Sequence, residues 1–232
     1  MKLGIMQPYF LPYIGYFQLI SAVDQFIVYD NIQYSKKGWI NRNRFLLNGK
    51  DALFSLPLRK AADNLHVVER SVADNFNSNK LLNQLHGAYA KAPHFDITFA
   101  LLERIFSYEH QNLFRYIYHS LVAVCVHLGI ETSIVVSSEV EIAHDLKAED
   151  KVLALCKASA ASTYVNLMGG SNLYSKGAFL QNGLDLKFIK ASSFEYRQFG
   201  NDFVPWLSIV DVLMFNSLDE VRCFMFNGYE LI

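Results

Sequence analysis

Two short apolar runs, Leu3 to Met6 and Phe26 to Tyr29, bracket an amphipathic stretch from Tyr13 to Ala22. The outer runs have strand length and the stretch between them has helical spacing. Strand, helix and strand in that order read as a β-α-β unit, whose crossover brings the second strand parallel to the first. In open sheets built this way, ligands sit at the carboxyl ends of the strands. Two polar segments fall at those ends. One is Gln7-Pro8-Tyr9; the other starts at Asp30.

The rest of the chain continues the alternation. Phe45 to Leu56 reads as a β-hairpin turning at Asn48-Gly49, a strong short-range turn signal. Leu65 to Val72 reads as a further strand. Ser78 to Ala90, Phe95 to Phe106 and Gln111 to Leu128 have helical periodicity, with Gly129 placed to cap the last. Thr132 to Val136 is β-branched and strand-like. Helices are expected over Ala148–Ser159, Ser175–Asn182 and Pro205–Phe215, a last helix or turn over Asp219–Phe226, and strands over Thr163–Leu167 and Leu184–Ile189. The expected fold is α/β: a Rossmann-like, mostly parallel sheet with helices on both faces. A single domain is expected over residues 1–232, with a helical sub-lobe around 78–130.

Hydrophobic residues make up 52% of the chain and charged residues 19%, which predicts a large packed core. A net charge of −1 argues against a nucleic-acid partner held by phosphate contacts. No apolar run reaches the roughly 18 residues of a membrane span. The N-terminus lacks the pattern of a signal peptide, and the cysteines form no CxxC pair. These features predict a cytoplasmic protein with reduced thiols.

The loop after the first strand contains Gly15, where backbone can approach a ligand closely. A helix starting there offers unpaired N–H groups to an anion. The spacing Pro12-Tyr13-Ile14-Gly15-Tyr16 resembles the HxGH loop of Rossmann-like nucleotidyltransferases, with Tyr13 and Tyr16 at the two histidine positions. The tyrosines lack the cationic character that stabilises a phosphoryl transition state. The same segment also reads as a proline-rich cap with core aromatics.

Asp30 to Arg44 has the denser chemistry. Asn31, Gln33, Asn41 and Asn43 bring donors and acceptors together, as sugar hydroxyls require. Lys37 and Arg42 can pair with phosphate, and Trp39 offers a stacking face. Gln7, Tyr9, Gly15 and Tyr16 complete the candidate binding set. Asp211, three residues after Ser208 on one helix, joins that set as a candidate partner of Arg42 or cap of a neighbour, and reads equally as an internal hydrogen bond that braces the fold.

The runs QPYFLPYIGYFQLI and DQFIVYDNIQYSKKGWINRNR closely resemble the opening of the WbqC-like family. LFSLPL, AYAKAPHF, TYVNLMGGSNLYSK and LSIVDVLMFNS extend the likeness over most of the chain. The resemblance implies a role in bacterial O-antigen or other surface-polysaccharide synthesis. It points to transfer of an acyl or aminoacyl group to an amino sugar, here expected to be nucleotide-linked. Such a transfer needs a base and oxyanion donors. Asp30 is the candidate base; Asn41, Asn43 and a backbone N–H near Gly15 are the candidate donors. Asp30→Asn is therefore expected to leave folding intact and reduce activity. The acyl donor is expected to be linked to CoA or an acyl carrier protein, with no tightly bound cofactor and no metal. A nucleotidyltransferase-like, ATP-dependent enzyme and a noncatalytic sugar-nucleotide binding protein are the alternatives.

Other features read as structural. Cys125, Cys156 and Cys223 are expected in the core. The seven histidines are scattered without metal spacing, and His86 and His94 flank a possible lid. Gly169-Gly170 reads as a turn that also suits a phosphate or pantetheine.

Overall fold

In the computed structural model, which describes residues 1–200 and 202–232, the opening unit forms as β1 (Lys2–Met6), α1 (Ile14–Ser21) and β2 (Gln25–Val28). β1 and β2 pair in parallel, with Leu3 opposite Gln25. Gly4 lets α1 settle on the sheet: a Cβ there would stand 3.0 Å from the Phe26 ring and 3.5 Å from Leu19. The chain then makes a separate hairpin, β3 (Arg42–Leu47) and β4 (Lys50–Ser55). Asn48 and Gly49 turn it with φ of 51° and 76°, the paired positive angles of a type I′ turn.

Helices α2 (Ser78–Tyr89), α3 (Phe95–Phe106) and α4 (Leu113–Leu128) follow. Asn112 caps α4 by accepting from the Arg115 N–H at 3.0 Å. Gly129 ends it at φ 71°, and the Ile130 N–H closes back on the Cys125 carbonyl at 2.9 Å. The remaining elements are β5 (Ser133–Val136), α5 (Ala148–Ala158), β6 (Thr163–Leu167), α6 (Lys176–Gln181), β7 (Asp185–Ala191), α7 (Ile209–Phe215), α8 (Leu218–Asn227) and β8 (Tyr229–Leu231).

The main sheet has the order β5-β2-β1-β6-β7-β8. All its pairs are parallel except β7 with β8. Numbered among themselves, these strands run 3-2-1-4-5-6, the order of dinucleotide-binding α/β sheets. The order reverses between β1 and β6, which places the expected ligand crevice there. One sheet face, with Leu3, Ile5, Ile27 and Tyr164, packs on Val152, Leu155 and Cys156 of α5 and Phe179 of α6. The other face, with Phe26, Val28 and Val165, packs on α1, α4, α7 and α8 in a larger core that continues into α2 and α3. Among the described residues, no helix is long and apolar enough to cross a membrane.

Several expectations need correction. Leu65 to Val72 is not a strand. It holds a 3-10 turn, Val67–Glu69, because its N–H groups go to separate segments: Val67 to Ile32, Val68 to Asp30 and Val72 to Gln111. The helix expected from Pro205 starts at Ile209, since the Ser208 hydroxyl caps it by accepting from the Val210 N–H. β8 was not expected from the sequence: its three residues, Tyr229-Glu230-Leu231, are too few to set a strand period apart from the preceding helix. Cys223 is exposed, whereas Cys125 and Cys156 are buried and burial pushes both thiols up to about 12.

Asp211 does not meet Arg42. Its fully buried carboxylate accepts from the hydroxyls of Tyr89 at 2.8 Å and Tyr196 at 2.6 Å, and from Gln198 Nε2 at 2.7 Å. The Tyr89 hydroxyl accepts in turn from the Leu46 N–H at 2.8 Å. One carboxylate thus joins α7, α2, the hairpin and the segment before α7. Burial pushes the Asp211 carboxyl above its ordinary range, and the three donors oppose this without cancelling it. Folding therefore favours the protonated form. The associated stability is complete below the unfolded carboxylate range and is lost as pH rises through the raised folded value. Asp211→Asn is expected to cost about 1–3 kcal/mol, because the buried Tyr89 hydroxyl loses its acceptor. Thermal melts across pH should also show that the variant lacks this downward slope. An unchanged melting temperature and slope would contradict the assignment.

Candidate functional site

The loop from Gln7 to Tyr13 leaves β1 at the switch point and is held from outside. The Asn43 amide donates to the carbonyls of Phe10 at 3.2 Å and Leu11 at 2.9 Å. The Ser208 hydroxyl also donates to Leu11, at 2.6 Å, and the Ile209 N–H to Pro12 at 2.8 Å. Leu11 adopts φ 46°, a left-handed conformation that these contacts hold in place. Held this way, the loop turns Tyr9 and Tyr13 toward a cleft of about 860 Å³. The cleft spans the carboxyl ends of β1, β2 and β6, with Gln7, Tyr29, Asn31 and Asn166 in its wall. Its size suits a small-molecule ligand.

The wall beyond β2 is a polar network. Asp30 is buried, and its carboxylate accepts from the hydroxyls of Ser137 at 2.8 Å and Ser138 at 2.6 Å, and from the Ser138 N–H at 3.0 Å. These bonds fasten the end of β2 to the end of β5. Next to it, Asn31 Oδ1 accepts from Lys151 Nζ at 3.0 Å, while Asn31 Nδ2 lies 3.0 Å from His144 Nδ1. A lysine only donates, so the Asn31 amide orientation is fixed. The neutral His144 ring then accepts at Nδ1 and carries its proton on Nε2. Lys151 also donates to the backbone carbonyls of Asn31 and His144, and stands 5.5 Å from the Tyr29 ring centroid. Burial pulls the Lys151 ammonium below its ordinary range, and the charge on Asp30 opposes that shift.

The structure separates the expected site residues into two groups. Gln7, Tyr9, Gln33 and Trp39 line the cleft. Most of the others hold backbone or brace the frame. Tyr16 is fully buried, with its hydroxyl donating to the Gln7 carbonyl at 2.8 Å, so it is removed from any ligand contact. Gly15 lies beneath the Tyr13 ring, where a Cβ would stand 2.4 Å from that ring; the close approach is to Tyr13. Asn41 accepts from the Tyr34 hydroxyl and donates to the Leu56 carbonyl, which occupies both ends of its amide. Arg42 donates to the carbonyls of Gly38 and Lys37, closing its own loop under Trp39. Lys37 is exposed outside the cleft wall. Asp30, with its oxygens engaged, fits a positioning role better than that of a base.

Sequence reading missed His66, His144, Lys147, Lys151 and Tyr174, all in the cleft wall. His66 Nδ1 lies 4.0 Å from Glu69 Oε2. Lys151 left one trace: a lysine in a helix's first turn opposes the macrodipole and invites another explanation. Gly169 and Gly170 also line the cleft, in the 3-10 stretch Met168–Leu173. A Cβ on Gly170 would meet Asn166 Nδ2 at 2.8 Å. Among the described residues, no group of three His, Cys, Asp or Glu is placed to hold a metal ion.

Asn43→Ala strands the Phe10 carbonyl and takes one of two donors from Leu11, and is expected to cost about 1–3 kcal/mol. Asp30→Ala should cost a similar amount by releasing the ends of β2 and β5. Denaturant titration checks both, and a loss of stability within error of zero would contradict these roles.

The model of the WbqC-like protein family matches residues 7–223. The chain is also 30% identical over 215 residues to an uncharacterized protein, Rv1507c, of Mycobacterium tuberculosis (strain ATCC 25618 / H37Rv), covering 91% of this chain and 92% of that protein. No solved structure matches the chain. The β1 loop and all of the cleft wall except Ile5 and Met6 lie within the matched residues, and the chain belongs to the WbqC-like protein family.

Proposed function

We propose that the protein is a transferase that attaches an acyl or aminoacyl group to an amino sugar, carried on a nucleotide, in bacterial O-antigen or related surface-polysaccharide synthesis. The observation that carries this reading is the cleft at the β1–β6 switch point. It combines aromatic faces (Tyr9, Tyr13 and Trp39), amides (Gln7, Asn31, Gln33 and Asn166), imidazoles (His66 and His144) and cations (Lys147 and Lys151). Stacking faces and amides suit a sugar or base, and the exposed Lys147 suits a diphosphate, while Lys151, buried with its N–H groups on protein oxygens, adds its charge from behind the wall. The donor is a thioester on CoA or an acyl carrier protein, and the reaction takes place in the cytoplasm.

In this reading the sugar amine attacks the thioester carbonyl. A C–N bond forms, the C–S bond breaks, the amine gives up a proton and the thiolate leaves. His66, with Glu69 beside Nδ1, is the proposed base. His144, with its proton on Nε2, is the proposed donor to the oxyanion. The burial of Tyr16 counts against the nucleotidyltransferase alternative, which needs both loop positions at the phosphates.

Thiol release from an acyl- or aminoacyl-CoA, dependent on a UDP-, dTDP- or GDP-linked amino sugar, is the expected activity. His66→Asn should lower kcat by roughly 10²–10⁴-fold with nucleotide-sugar binding retained. Magnesium-dependent pyrophosphate release would instead identify a nucleotidyltransferase. Saturable binding without turnover would leave a binding protein. A thermal-shift screen against the same nucleotide sugars, CoA and ATP selects the ligand, since binding to the folded state raises its melting temperature.

A further inference from the structure

The chain has two tryptophans, and the fold brings both to one place. Trp39 is 37% exposed and Trp206 is 66% exposed, so neither ring is buried in the core. They line a cavity of about 260 Å³ whose wall is completed by Tyr9, Tyr13, Asn43 and Arg44. Arg44 braces both indoles. Its guanidinium carbon lies 5.4 Å from the Trp39 ring centroid, and its Nη2 donates to the Trp206 carbonyl at 3.1 Å. The Ser208 N–H donates to the Arg44 carbonyl at 2.9 Å, which ties the same two segments together. Trp206 is held at φ 61°, a left-handed backbone that is uncommon for a bulky residue. Its ring meets Tyr13 edge to face, with 5.8 Å between centroids. Strain kept in order to present an exposed ring is a mark of ligand sites.

The wall discriminates between ligand classes. Asn43 brings the one amide, and both its ends are taken: Nδ2 donates to the Phe10 and Leu11 carbonyls, and Oδ1 accepts from the Arg44 N–H at 2.8 Å. Among the described residues, no carboxylate lines the cavity. A pyranose brings several hydroxyl donors and would find only the tyrosine oxygens to accept them. Arg44 opposes a cation, and its terminal nitrogens are already engaged by Asp51 and the Trp206 carbonyl, which disfavours a bare anion. What the wall offers is ring faces with hydroxyl and indole donors at their edges. A planar heterocycle with carbonyl or ring-nitrogen acceptors matches both, and stacking of bases on aromatic side chains is a general mode of recognition.

We propose that this slot holds the base of the nucleotide, stacked among Trp39, Trp206 and Tyr13. Tyr9, Tyr13 and Trp39 also line the main cleft. A ligand with its base in the slot therefore continues, through its diphosphate and sugar, into the space that carries Lys147, His66 and His144. This placement rests on the nucleotide-linked substrate proposed above and adds the location of its base.

Both tryptophans stand in the slot, so intrinsic indole emission reports its occupancy. UDP, dTDP and GDP are titrated into the wild-type protein, with ribose 5-phosphate as the base-free probe. Saturable quenching by at least one of the three nucleotides, and none by ribose 5-phosphate, is the expected result. Calorimetry on Trp39→Ala and Trp206→Ala, which remove partly exposed rings and should fold, is expected to show that nucleotide bound roughly 5–100-fold more weakly by each. No quenching by any of the three, equal quenching by ribose 5-phosphate, or unchanged affinity in either variant overturns the slot. Nucleotide binding of the expected kind without transferase turnover upholds the slot and counts against the reaction alone. Turnover of a nucleotide-linked amino sugar at an unaltered KM in both variants overturns the slot alone.

Discussion

The site depends on one clamp. The loop after β1 carries two of the cleft's tyrosines, Tyr9 and Tyr13, yet it contains a left-handed leucine, Leu11. Such a conformation persists only when its surroundings over-determine it. Here they do: Asn43 from the hairpin and Ser208 from the start of α7 both donate to the Leu11 carbonyl. Asn43 is 32 residues away in sequence and Ser208 is 197. The tyrosines are positioned only once both segments have packed, so the geometry of the cleft reports completion of the whole fold.

The opposite wall works in the same way with charge. Asp30 is fully occupied in joining two strand ends, and its neighbour Asn31 faces the cleft. Asn31 then fixes Lys151 and His144 through the two ends of a single amide. Burial decides the division of labour. The residues with saturated hydrogen bonds hold the frame, and their half-exposed neighbours present chemistry. Preorganisation of this kind is what a transfer reaction requires of its oxyanion donors.

Much of the frame was legible because its signals are local. The β-α-β opening, the Asn48-Gly49 turn and the Gly129 cap each follow from a few adjacent residues. The site was half legible. Gln7, Tyr9, Gln33 and Trp39 stand near strand ends and do line the cleft. Asn41, Asn43 and Arg42 looked functional because amides and cations that brace loops have the same composition as those that bind ligands; only their partners differ. His66, His144 and Lys151 come from segments that the fold brings together, and no spacing in the chain announces that meeting. Asp211 shows the same limit: its three donors come from two separate regions of the chain.

The central claim is that ligand binds where the β1 loop meets the ends of β2 and β6. Hydrogen-exchange mass spectrometry, with and without the nucleotide sugar that most raises the melting temperature, tests it directly. The account predicts added protection in residues 7–13, 31–39, 144–151 and 166–174. Protection that spares these segments and falls instead on the hairpin tip or on α3 and α4 would contradict it.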